Sequence, residues 1–140
     1  MTNTQANNAN HRETQLQEQI GLEYREIAAL TSEVAKLESH FGALCEQILT
    51  YINNTGDAHC LEWLENEEEE HNPIMASTNK QQQDFERAET LAPSDFNARV
   101  LRLEHRLKLA KALRAQLELH KSYLESGIAR LQIKLTGRSS

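Results

Sequence analysis

A chain of 140 residues and 16.0 kDa, with a net charge of −6, is the size of one domain, and its acidity argues against a protein that is basic throughout. A hydrophobic fraction of 39% and a mean hydropathy of −0.66 are low for a compact globule, but ordinary for long helices that bury one stripe and solvate the rest. Three Phe, three Tyr and one Trp are too few for a large aromatic-lined ligand pocket, while 5 Gly and 2 Pro leave few helix breakers.

Residues 1–9, rich in Asn, Thr and Gln, read as a disordered polar tail without the apolar run of a signal peptide. A single helical domain is expected over 10–136, opened by Asn10 as a cap with Glu13 closing a capping box. Its first element is a long helix over 10–53. Leu16, Ile20, Ile27, Leu30, Val34, Leu37, Phe41, Leu44, Ile48 and Tyr51 supply the apolar positions, and from Ile27 the steps alternate three and four. That is the heptad seam of a helix lying against a partner. Ile27, Leu30, Val34, Leu37, Phe41, Leu44 and Ile48 are therefore the expected core or oligomer seam, with Glu23 the one break further upstream. Gly21 and Gly42 either cost roughly 1 kcal/mol each relative to Ala or admit a close neighbour. Asn53, Asn54 and Gly56 tolerate the left-handed turn that ends such a helix.

An acidic connector with short helices follows over 54–94. Asp57 is a cap for the first, whose patch of Cys60, Leu61, Trp63 and Leu64 is a candidate partner-binding surface. Glu67–Glu70 then place four carboxylates at the end where the helix dipole disfavours them, so the helix is expected to fray before Asn72-Pro73. A second short helix starts with a capping box of Thr78 and Gln81, presents Phe85, Ala88 and Leu91, and stops at Pro93, with Ser94 capping what comes next.

The last long helix, 95–136, carries a main stripe running from Phe96 through Leu103, Leu107, Leu117 and Leu124 to Leu135. A back stripe of Leu101, Leu109, Ala112, Leu119 and Tyr123 points nearly the opposite way and suits a protein partner. The resulting expectation is an all-α fold: two long antiparallel helices forming a helical hairpin or coiled coil, short connector helices, and a bundle completed by homodimerisation. Net charges of −4 over 1–53, −9 over 54–95 and +7 over 96–140 make the last helix complementary to the rest.

Chemistry is harder to find. His59, Cys60, Glu62, Glu68 and His71 could gather around a metal, and Glu68 and His71 stand at the Glu-x-x-His spacing of di-iron bundles. Such bundles need two of these motifs on long helices, so neither metal nor cofactor is expected. Cys45 and Cys60 form no CxxC pair, and no phosphate loop, Ser/His/Asp set or dinucleotide fingerprint occurs, which argues against an enzyme. No stretch reaches the roughly 20 apolar residues of a membrane span, so a cytoplasmic location is expected. The sequence thus points to a non-enzymatic interaction protein, acting as adaptor, chaperone or assembly factor. The alternative is a nucleic-acid-associated regulator in which Arg99, Arg102, Arg106, Lys108 and Lys111 meet phosphates.

Overall fold

The computed structural model describes the backbone over 2–90 and 96–139, and the side chains over 11–90 and 98–137. The expected stop at Pro93 and cap at Ser94 lie outside these residues. The described chain is all-helical: α1 over Thr2–Thr55, α2 over Ala58–Glu89 and α3 over Phe96–Ser139. The α1 backbone is helical from Thr2, so the start at Asn10 and the polar tail are replaced by continuous helix.

The first turn follows the expected chemistry. Gly56 adopts φ +69 and donates its N–H to the Ile52 carbonyl at 2.7 Å, closing the end of α1 in the left-handed conformation that glycine accepts without strain. Asp57 caps α2 by accepting the Cys60 N–H at 3.0 Å.

The connector departs from expectation. It is one helix of 32 residues that continues through Pro73, where two short helices with a frayed junction were expected. A proline inside a helix costs roughly 3 kcal/mol in lost backbone bonding and steric clash. What outweighs that cost is a heptad seam running along the whole element: Cys60, Leu64, Glu67, His71, Ile74, Thr78, Gln81, Phe85 and Ala88, in alternating steps of four and three. Every one of these is buried or half-buried. Thr78, expected to cap, is instead mid-helix and returns its hydroxyl to the Ile74 carbonyl.

The length of α2, about 48 Å at 1.5 Å per residue, carries the chain back along the bundle. Consequently α3 starts beside the first half of α1 and runs parallel to it: Arg12 meets Glu104, Glu23 meets Arg114, Glu33 meets Lys121, and Phe41 lies against Gly127. The antiparallel pairing of the two long helices is thereby corrected. The antiparallel neighbour of each is α2, as Tyr24 with Phe85 and Arg130 with Glu67 illustrate. The bundle is up-down-up.

The seam residues Ile27, Leu30, Val34, Phe41, Leu44 and Ile48 are buried, and Leu37 is partly buried against them. They share one core with Leu64 and Phe85 of α2 and with Ala110, Leu113, Leu117, Leu124, Ile128 and Leu131 of α3. A smaller cluster of Leu16, Ile20, Leu103 and Leu107 continues that core towards the start of α1. Fully burying a leucine side chain is worth about 1.5–3 kcal/mol, so these rows supply most of the packing energy. Glu23, the break in the α1 seam, is occupied by Arg114, whose Nε donates to its carboxylate at 2.5 Å.

Candidate functional site

Midway along the bundle the apolar core is interrupted by a polar layer to which all three helices contribute. Glu38 of α1 receives the Nε2 atoms of two histidines on one carboxylate oxygen: His71 of α2 at 2.8 Å and His120 of α3 at 2.6 Å. Both histidines are buried. The heptad places each of them. His71 follows Leu64 by seven residues on the α2 seam. His120 falls in the α3 row Ala110, Leu113, Leu117, His120, Leu124, Gly127, Leu131, which also steps by three and four. Glu38 sits one position after Leu37, on the flank of the α1 seam that faces α2.

The surroundings hold both rings in place and set the choices open to the His120 protons. His120 Nδ1 lies 3.0 Å from the Thr78 hydroxyl, which has one proton and two acceptors within reach, His120 Nδ1 and the Ile74 carbonyl. When that proton goes to Ile74, His120 must carry a proton on Nδ1. Its Nε2 then faces Glu38 either as the second N–H of an imidazolium or as a bare ligand atom. Gln116 donates from Nε2 to the Thr78 oxygen at 3.3 Å, which steadies the hydroxyl. His71 rests between Phe41, at 4.9 Å between ring centres, and Tyr123, stacked at 5.9 Å with an interplanar angle of 17°. Its Nδ1 is buried without a hydrogen-bond partner among the described residues. A groove of about 270 Å³ between α1 and α2, walled by Thr31, Val34 and Met75, opens onto Glu38, Thr78 and His120. Among the described residues, Glu38, His71 and His120 are the group whose possible ligand atoms all lie within 4.8 Å of one another.

The sequence singled out His71 as a metal candidate but grouped it with His59, Cys60, Glu62 and Glu68. In the structure its companions come from the other two helices. His120 and Glu38 were missed, although the three-four spacing of α3 marks His120 as a core position. Cys45 is buried, and desolvation, with Glu68 and Glu67 nearby, pushes its thiol up to about 11. This is a small apolar packing residue rather than a nucleophile.

The surface expectations divide. Leu101 and Leu119 are 66% and 57% exposed, and Ala112 is exposed beside them. Leu109 is half-buried in a cleft against Ala88 and Arg87 of α2. Tyr123 is also half-buried; burial, then Glu70 and Glu67, raise its phenol above the ordinary range. Leu61 is exposed, but Leu64 is buried and Trp63 packs on the core, with Lys134 Nζ 5.0 Å over its ring. Leu64 therefore belongs to the bundle interior, and Trp63 lies half-buried at its edge.

Of the basic set, Arg102 donates to the Ala88 and Glu89 carbonyls at 3.1 and 2.6 Å, satisfying the end of α2, and Arg106 donates to the Tyr24 hydroxyl at 2.6 Å. Arg99, Lys108 and Lys111 are exposed. No family model, curated protein or solved structure matches this chain. No helix among the described residues is long and apolar enough to cross a membrane.

Proposed function

We propose that the chain is a non-enzymatic helical interaction protein that lays the outer face of α3 along a helix of a partner protein, a second copy of itself being the first candidate. The supporting observation is a second heptad row on α3, on the side away from α1 and α2: Leu101, His105, Lys108, Ala112, Ala115, Leu119, Ser122, Ser126, Ala129 and Ile133. All ten are exposed, and its anchors Leu101, Leu119 and Ile133 are 66%, 57% and 72% exposed. Ala112, Ala115, Ser122, Ser126 and Ala129 around the anchors Leu119 and Ile133 let a second helix approach closely there, and the row extends about 48 Å. A row with exposed apolar anchors at both ends and in the middle of a solvated face suits an adaptor, chaperone or assembly factor.

A nucleic-acid role has less support, because Arg102 and Arg106 are held in internal bonds and fewer cations remain for phosphates.

Sedimentation equilibrium from low to high micromolar concentration tests the reading. Self-association is expected, and it should vanish in the combined Leu101→Lys, Leu119→Lys, Ile133→Lys variant, which keeps its helicity because the three side chains lie outside the core. A monomer at every concentration would eliminate the second copy as occupant, and association that survives the triple variant would eliminate this face.

A further inference from the structure

We propose that Glu38, His71 and His120 form a binding site for one first-row divalent transition-metal ion of the Zn²⁺ type, held between all three helices. Two imidazole nitrogens and one carboxylate make a donor set suited to such ions, and a three-residue set leaves a further coordination position for water. The groove between α1 and α2 reaches Glu38 and His120, so that position has a route to solvent.

The geometry is near what the ion needs. Ligands about 2.0–2.1 Å from a tetrahedral centre stand about 3.3 Å apart. The two Nε2 atoms now lie 2.6 and 2.8 Å from Glu38 Oε1, so each must withdraw by several tenths of an ångström as the ion enters. Each Nε2 gives up its proton to become a ligand. His120 can remain neutral while doing so, because its Nδ1–H donates to Thr78 when the Thr78 proton rests on Ile74. That contact is the outer partner that orients a metal-bound histidine. The buried Nδ1 of His71 has no hydrogen-bond partner among the described residues, whether Nε2 meets Glu38 or the ion, so it does not separate the two arrangements.

This site differs from a surface histidine cluster in two respects. Both rings are buried, and the three ligands are separated by 33 and 82 residues in sequence, so the ion would tie the helices together only in the folded bundle.

The test uses the full chain, stripped with chelator and titrated with Zn²⁺ by calorimetry, with Co²⁺ absorption as a second probe. One ion per chain is expected, at micromolar affinity or tighter. Thermal unfolding should shift upward by about 10 °C when zinc is 100-fold over its dissociation constant. Glu38→Gln, His71→Gln and His120→Gln should each weaken binding at least tenfold, and Thr78→Val should weaken it about 10–100-fold. His40→Gln and His105→Gln should leave it unchanged.

Because the core variants can lose their fold, histidine ring nitrogen spectra of the unsubstituted protein give an independent reading. Stoichiometric zinc must shift Nε2 of His71 and His120. No binding at micromolar zinc, or shifts confined to His11, His40, His59 and His105, would overturn the proposal and leave a purely hydrogen-bonded layer.

Discussion

Glu67 shows how much a charge on this bundle depends on its depth. It lies in the α2 seam, 7% exposed, and Arg130 of α3 answers it with a two-pronged contact at 2.9 Å from both Nε and Nη2. The hydrogen bond to Glu67 also raises the Arg130 guanidinium further above its ordinary range. Removing a partner from a buried pair costs about 3–5 kcal/mol. Arg130 keeps part of its surface in water, so Arg130→Met should cost about 2 kcal/mol, seen as a lower denaturant midpoint at unchanged slope. Lys121 and Glu33 make a contact of similar length, 2.7 Å, with a cation about as exposed as Arg130, but the Glu33 side chain is 48% exposed against 9% for Glu67. Lys121→Met should leave the midpoint where it is. Equal losses in the two variants would mean that depth does not set the strength of these pairs.

At the scale of the helix, glycine distinguishes exposed from packed surface. Gly42 faces open space, and an added Cβ would meet nothing within 4 Å. Gly42→Ala should therefore raise stability by about 1 kcal/mol through propensity alone. Gly127 is buried at a seam position of α3, where a Cβ would stand 3.0 Å from the Phe41 ring. Phe41 is itself pressed against His71, so it cannot yield easily, and Gly127→Ala should destabilise by about 1–3 kcal/mol. Urea unfolding of the two variants checks both signs. Of the two readings of Gly42 open in the sequence, the space around it supports the cost and not the close neighbour.

The same scale explains what the sequence made legible. The α1 seam was plain because nearly all its positions are apolar. The α2 seam was hidden because Glu67, His71, Thr78 and Gln81 occupy core positions, and because Pro73 and four successive glutamates imitate a helix end. Partner helices meet three of them: Arg130 for Glu67, Glu38 for Nε2 of His71, and His120 with Gln116 for Thr78; the Gln81 Oε1 is buried without a hydrogen-bond partner among the described residues. No local pattern displays such partners. His120 was obscured for the same reason, since a histidine in an apolar row looks like an interruption until a carboxylate from 82 residues away is placed beside it.

For the molecule as a whole, charge and path agree. The basic α3 lies against both acidic helices and meets each with ion pairs, Glu23 and Glu33 on one side and Glu67 on the other. Direct packing of α1 on α2 is thin, and α3 supplies most of the shared core. A fragment ending at residue 90 should therefore show reduced helicity and a broad, non-cooperative thermal transition, measured by circular dichroism. A sharp transition in that fragment would show that the first two helices form a unit by themselves.

The parallel run of α1 and α3 also has a consequence in time. During synthesis α1 and α2 emerge first, joined by a tight turn at Gly56 yet with little surface to exchange. The partner that completes both, α3, is made after them. The largest interface joins residues some 80–90 positions apart, a wide separation for a helical protein, and loop closure of that span must precede most of the stabilising contacts. Until α3 arrives, two long half-apolar helices wait with their seams uncovered, and this nascent interval is when the three-helix bundle is most exposed to mispairing.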